Sequence, residues 1–301
     1  MAGRVDVRKT YKLYIGGAFP RSESGRSYEV YAAPARAGAR PRFLANAAQG
    51  SRKDARDAVV AARKAFPGWS GATAYNRGQV LYRVAEVMEG RREQLVAQVR
   101  AAEGLSPSRA SSVVSQAIDR WVWYAGWSDK FAQVLGGLNP VAGPYFNISA
   151  PDPTGVVAAL APQGSSLLGL VSVVAPIVVS GNTAVVLTSR DRPIPAITLA
   201  EALATSDVPG GVINLITGDP AEAAPWLASH RDVNAIDLTG VAGTEISWGD
   251  LESAAADNLK RVRRPALDGL TAIEEDWTQT PDLGRIESYL ETKTVWHPKG
   301  R

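Results

Sequence analysis

Four short apolar runs constrain this chain more than any other feature: GVVAALA at 155–161, TAVVLT at 183–188, GVINLIT at 211–217 and NAIDLT at 234–239. Each is strand-length, and helix-patterned stretches at 167–179, 194–204 and 221–229 separate them. Strands apolar along their whole length must be covered on both faces, and helical crossovers supply that cover. The pattern predicts an α/β fold built on a doubly wound parallel sheet. Ligands on such sheets sit beyond the carboxyl ends of the strands. Loops 161–166, 188–191, 217–219 and 239–243 are therefore the candidate site loops.

The segment ahead of the sheet reads as mostly helical. Residues 11–30 hold two β-prone pieces around GGAFPRSESGRS and are expected to form a hairpin, with a loop over 32–49. Ser51 opens a capping-box pattern with Asp54, and Ala55, Val59, Ala62 and Phe66 follow at helical spacing. Further helices are expected over 74–89, 91–102 and 108–132. The last carries Trp121, Trp123, Tyr124 and Trp127, an aromatic cluster whose spacing suits packing. Residues 138–153, LNPVAGPYFNISAPDP, read as an extended ribbon outside the core. After a helix expected over 250–262, alternation stops. Residues 263–284 read as a flexible linker or an ordered strap, their charge and Pro/Gly content favouring the linker, and 285–301 are expected to contain a β-strand around 292–296.

Composition excludes several chemistries. The 301 residues contain no cysteine, which removes thiolate nucleophiles, disulfides and thiolate metal sites from the sequence. Two histidines, His230 and His297, lie near no matching triad partner or metal-ligand pattern, so both are expected at the surface, with no metal site. The net charge of +3 is spread along the chain and gives no nucleic-acid footprint. No run reaches the length of a membrane span, and the start MAGRVDVRKTYKLY has no apolar leader core. A cytoplasmic location without membrane contact is the expectation.

In this order, the segments KLYIGGAFPRSESG, DARDAVVAARKAFPGWSG, WYAGWSDK, PDPTGVVAALAP, SGNTAVVLT, DVPGGVINLITGD, DVNAIDLTG and ETKTVWHP resemble the aldehyde dehydrogenase superfamily over almost the whole chain. The resemblance implies a Rossmann-like cofactor domain over 1–262, with amino-terminal helices and an oligomerisation hairpin near 138–153. Residues 263–284 would then be a linker in place of the catalytic domain, and 285–301 would hold the carboxyl-terminal oligomerisation strand.

The same resemblance marks what is missing. In the family, the helix corresponding to AAADNLKRV precedes an E-L-G-G-K strand with the general-base glutamate, then a catalytic domain of roughly 200 residues with the nucleophilic cysteine. Here RRPALDG follows Val262. The family's P-W-N-F-P loop corresponds to Pro162, Gln163, Gly164, Ser165 and Ser166, so glycine stands where the oxyanion-stabilising asparagine belongs. No residue is assigned a catalytic role. The ribose-gripping V-L-K-P-x-E corresponds to VVLTSRD, placing Thr188 at the lysine and Asp191 at the glutamate. Gly218 matches the T-G-D turn, and Thr239 and Gly240 open the T-G-S-x-x-G turn. This degenerate set, Pro162, Gln163, Thr188, Asp191, Gly218, Thr239 and Gly240, is expected to hold NAD(P) weakly at best.

The expected role is a catalytically inactive subunit that pairs with a full-length aldehyde dehydrogenase. Its interface would comprise Tyr145, Phe146, Ile148, Thr292, Lys293, Thr294, Val295 and Trp296. The alternative is a stand-alone NAD(P)-binding or sensing module.

Overall fold

The computed structural model describes residues 8–34, 38 and 40–300. The expectations for residues 1–7, and for parts of the 32–49 loop, lie outside the described residues.

The amino-terminal region differs from the expected hairpin. Strands β1 (Thr10–Tyr11) and β2 (Ser27–Tyr31) do not pair with each other. A third strand, β3 (Phe43–Ala48), runs between them, parallel to β1 and antiparallel to β2. The FLANAA segment was legible only as loop because its alanines give no β signal. It is a strand because Ala45, Ala47 and Ala48 are buried against neighbours distant in sequence.

Four helices follow: α1 (Arg52–Ser70), α2 (Ala74–Gly90), α3 (Arg92–Glu103) and α4 (Pro107–Trp127). The capping box at α1 is formed, with the Ser51 side chain accepting from Asp54 N and the Asp54 side chain accepting from Ser51 N, an arrangement worth about 1 kcal/mol. The expected helix over 108–132 is divided, with a short α5 (Phe131–Leu135) after it. Trp121 and Tyr124 are fully buried in the core, and Trp123 and Trp127 pack on its rim.

Strands β4 (Gly137–Asn139) and β5 (Tyr145–Pro153) then leave the core. Next come β6 (Val156–Leu160), α6 (Leu168–Val179), β7 (Thr183–Leu187), α7 (Ile194–Leu203), β8 (Ile213–Ile216), α8 (Pro220–Ser229) and β9 (Ala235–Asp237). A 3-10 turn (Thr239–Val241) leads to α9 (Trp248–Ala256) and β10 (Arg261–Arg263). The five-stranded sheet has the order β10-β9-β6-β7-β8, and every pairing in it is parallel. Every residue of β6 to β9 is buried, as continuous apolar runs require. One side packs against α6, α7 and helices α2 to α4, the other against α1, α8 and α9.

The expected helix over 250–262 ends early. Leu259 takes a positive φ of 58°, and the chain returns as β10 beside β9. The expected linker over 263–284 is ordered. It contains the hairpin β11 (Ala266–Asp268) and β12 (Thr271–Ile273), and Trp277 is buried in the core. A short α10 (Gly284–Glu287) leads to β13 (Leu290–Pro298), which is longer than the expected 292–296.

β13 lies antiparallel to β5 from Leu290↔Pro153 to Pro298↔Tyr145, and β4 pairs with the other edge of β5. The result is a three-stranded ribbon. Among the described residues, no helix is long and apolar enough to cross a membrane.

Candidate functional site

Strand order reverses at β6, whose neighbours are β7 on one side and β9 on the other. The crevice between the carboxyl ends of β6 and β9 is therefore the place where this fold binds ligands. Here it is closed by packing. A Cβ on Gly240 would lie 2.2 Å from the Ala161 carbonyl oxygen and 2.3 Å from that of Leu160, so the 3-10 turn rests directly on the end of β6. Thr239 is buried with its hydroxyl unpartnered, and its amide donates to Asp237 Oδ1 at 2.8 Å.

The loop after β6 spends its polar groups on the chain itself. Gln163 donates through Nε2 to the Ala161 carbonyl at 2.8 Å and accepts at Oε1 from the Arg190 amide at 3.1 Å. The Gly164 amide donates to both carboxylate oxygens of Glu274, at 3.2 and 3.1 Å, from just beyond β12. Arg192 donates to the Gly164 carbonyl. The Ser166 amide and hydroxyl both donate to Glu103 Oε1, at 2.7 and 2.6 Å, and burial raises the Glu103 pKa above the usual carboxylate range. Amides at such a loop can bind a ligand's anionic group. Two of them are taken by this chain's own carboxylates.

Beside this loop opens a cleft of about 740 Å³, walled by the loops after β7 and β8 and the start of α9. Of the seven candidate residues, only Gln163 and Asp191 line it. Pro162, Thr188, Gly218, Thr239 and Gly240 are buried in the scaffold. Thr188 is turned onto the neighbouring strand, its hydroxyl donating to the Ile216 carbonyl at 3.3 Å. Gly218 sits at φ +124° in a turn where a Cβ would lie 2.9 Å from Gly50 N.

Sequence reasoning missed the cleft's acidity. Asp191, Asp219, Glu245 and Asp250 line it, and its one lining cation among the described residues, Arg190, is paired with Asp219 at 2.6 Å. Ser247 caps α9 by accepting from the Asp250 amide, so the helix start offers fewer free donors. A dinucleotide's pyrophosphate would meet more negative than positive charge here.

The carboxyl end of β9 holds a buried ionic cluster that no motif announced. Asp237 is fully buried. Its Oδ2 accepts from the Tyr289 hydroxyl and lies 3.5 Å from Arg285 Nη1 and 4.0 Å from Arg263 Nε. Glu275 pairs with Arg285 at 2.7 Å, and the Arg285 guanidinium stacks 4.9 Å from the centre of the Trp277 ring. Arg120 donates to the carbonyls of Trp277 and Gln279, at 2.8 and 3.0 Å. Tyr289, held far above its usual pKa by burial, accepts at its carbonyl from Asn182 and Thr154. Residues 264–289 are thus bound to the flank of the sheet.

On the ribbon, the register aligns Leu138, Ile148 and Val295 across all three strands. All three side chains are exposed, as are Tyr145, Phe146 and Trp296, the last at 58%. Trp296 meets Tyr145 edge-on at 5.8 Å. Thr292, Lys293 and Thr294 continue the exposed strand. The outer edge of β13 is unpaired among the described residues.

A doubly wound parallel sheet with switch-point loops and a protruding three-stranded ribbon defines a Rossmann-like α/β domain with an attached arm. This chain belongs to the aldehyde dehydrogenase family, whose family model matches residues 26–263. It is 33% identical to DhaS of Bacillus subtilis over 260 residues, 85% of this chain and 50% of that protein. It is 29% identical to human aldehyde dehydrogenase 1A1 over 263 residues, 85% and 50% respectively. An aldehyde dehydrogenase from Bacillus cereus, solved as its NAD+ complex, superposes with a TM-score of 0.77 at 25% identity, covering 84% of this chain and 50% of that one. The chain spans about half the length of the curated relatives it matches.

Proposed function

We propose that this protein is a catalytically inactive aldehyde dehydrogenase-like subunit that assembles, in the cytoplasm, with a full-length aldehyde dehydrogenase and stabilises or regulates it. The ribbon carries this reading. An apolar row crosses its three strands, and β13 presents an unpaired edge, the arrangement by which one sheet is extended by another. Only residues 264–289 separate β10 from β13, and they form a hairpin, a buried strap and a short helix. The chain itself therefore offers the ribbon no second sheet there.

Inactivity is supported by chemistry. No cysteine is present to add to an aldehyde, and Gly164 has no side chain to stabilise an oxyanion. A tagged pull-down from the source cells, with the mass ratio determined, tests the assembly. A stoichiometric full-length aldehyde dehydrogenase is expected; recovery of this chain alone and monodisperse would refute it.

The open cleft favours a second reading, a stand-alone NAD(P)-binding module. Three observations weigh against it: buried Thr188 in place of a charged ribose anchor, loop amides taken by Glu103 and Glu274, and the acidic lining. We expect titration with NAD or NADP to show no saturable binding up to about 1 mM. Saturation below that would favour the second reading.

A further inference from the structure

A second cavity, of about 440 Å³, lies at the amino-terminal sheet and shares no lining residue with the cleft described above. Thr10 and Lys12 line it from β1 and its end, Arg21, Ser22, Gly25 and Arg26 from the loop into β2, Ser27 from the start of β2, and Ala48 from β3. Three cations, Lys12, Arg21 and Arg26, converge on it, and among the described residues no carboxylate lines it. Two acids adjoin this loop, Glu23 within it and Asp54 in the first turn of α1, and both already have partners. Asp54 accepts from the Ser22 hydroxyl and the Glu23 amide, and Glu23 pairs with Lys53 at 3.2 Å.

Arg26 pairs with Glu222 at 3.0 Å, whereas among the described residues neither Lys12 nor Arg21 has a hydrogen-bond or ion-pair partner. The charge is local. Residues 1–42 contain nine Lys or Arg against three Asp or Glu, in a chain whose total is only +3, so the remaining 259 residues sum to a negative value. Holding like charges around one concavity is unfavourable unless an anion joins them.

We propose that this pocket binds a phosphoryl group, either free phosphate or a phosphomonoester. Lys12 and Arg21 supply charge-assisted donors to its oxygens, and the hydroxyls of Thr10 and Ser27 complete the rim. The volume lies within the range of small-ligand pockets, which leaves room for a sugar-sized body beyond the phosphate.

Calorimetric titration of the full chain at low ionic strength tests this, with inorganic phosphate in one arm and ribose 5-phosphate in the other. Saturable one-to-one binding is expected. The double variant K12A/R21A should weaken it by about tenfold or more. Both side chains are exposed and unpartnered, so the variant should melt as the wild type does. The control K64A/R109A removes the same charge from exposed positions elsewhere and should change affinity less than about twofold. Tighter binding of ribose 5-phosphate than of phosphate would identify a phosphomonoester ligand, and equal binding the free anion. Non-saturating heats in the wild type, or equal weakening by the control, would overturn the proposal by showing diffuse attraction only.

Discussion

Arg285, on the short helix that precedes the ribbon strand, places Nη1 3.5 Å from Oδ2 of Asp237 at the buried end of β9, 48 residues earlier in the chain. An acid inside a parallel sheet is costly unless it is paired and hydrogen-bonded. Here the compensation comes from Arg285 and Tyr289 in the tail and from Arg263 on β10.

Arg285→Leu should therefore destabilise the fold by about 3–5 kcal/mol, because it strands a buried carboxylate. The double variant R285L/D237L removes both charges and should recover most of that loss. Urea unfolding of the three proteins checks this. Equal loss in the single and double variants would show that the pair carries no coupling.

Gly240 belongs to the scaffold, so its substitution reports on folding and not on cofactor. Gly240→Val would drive side-chain atoms into the Ala161 and Leu160 carbonyls. A loss of at least 2–3 kcal/mol, on the order of overpacking penalties, is expected by thermal melting. A variant with wild-type stability would mean that the turn lifts freely from β6.

The ribbon separates assembly from stability. Val295→Asp and Ile148→Asp place charge in the middle of the exposed apolar row without touching the core. Each should reduce co-purification with the partner by at least about tenfold, while unfolding free energy moves by less than about 0.5 kcal/mol. Deleting residues 293–301 should abolish association and leave the sheet domain folded, since β13 contributes to the core mainly through Leu290. Undiminished association would sink the ribbon assignment.

Glu103 gives stability a pH dependence of known sign. Burial raises its pKa in the fold, so its protonated form contributes stability that is complete below the ordinary carboxylate value and is lost as pH rises through the raised one. Glu103→Gln stays neutral and keeps one acceptor for Ser166. The stability difference between variant and wild type should therefore move in the variant's favour over the pH range above the ordinary carboxylate value. Parallel unfolding curves across that range would contradict the assignment.

The sequence by itself determined the sheet and its helices. Strands that are apolar throughout and helices with periodic apolar faces carry their burial in their own residues, so VVAAL, TAVVL, INLI and the capped α1 could be read locally. The ribbon strands were equally visible as β-prone pieces outside that pattern.

Tertiary structure decided the rest, because the partners lie far apart along the chain. FLANAA becomes a strand only between β1 and β2, and Arg261 to Arg263 only beside β9. The charged, Pro- and Gly-rich stretch after Val262 looked like a linker because nothing local pays for its order. Trp277 in the core, Arg120 on its carbonyls and Arg285 at Asp237 supply that stabilisation from a distance. The site divides the same way. Motif positions identified the loops, but only packing shows that Thr188, Gly218 and Gly240 are scaffold, that Glu103 and Glu274 occupy the loop amides, and that the remaining cleft is acidic.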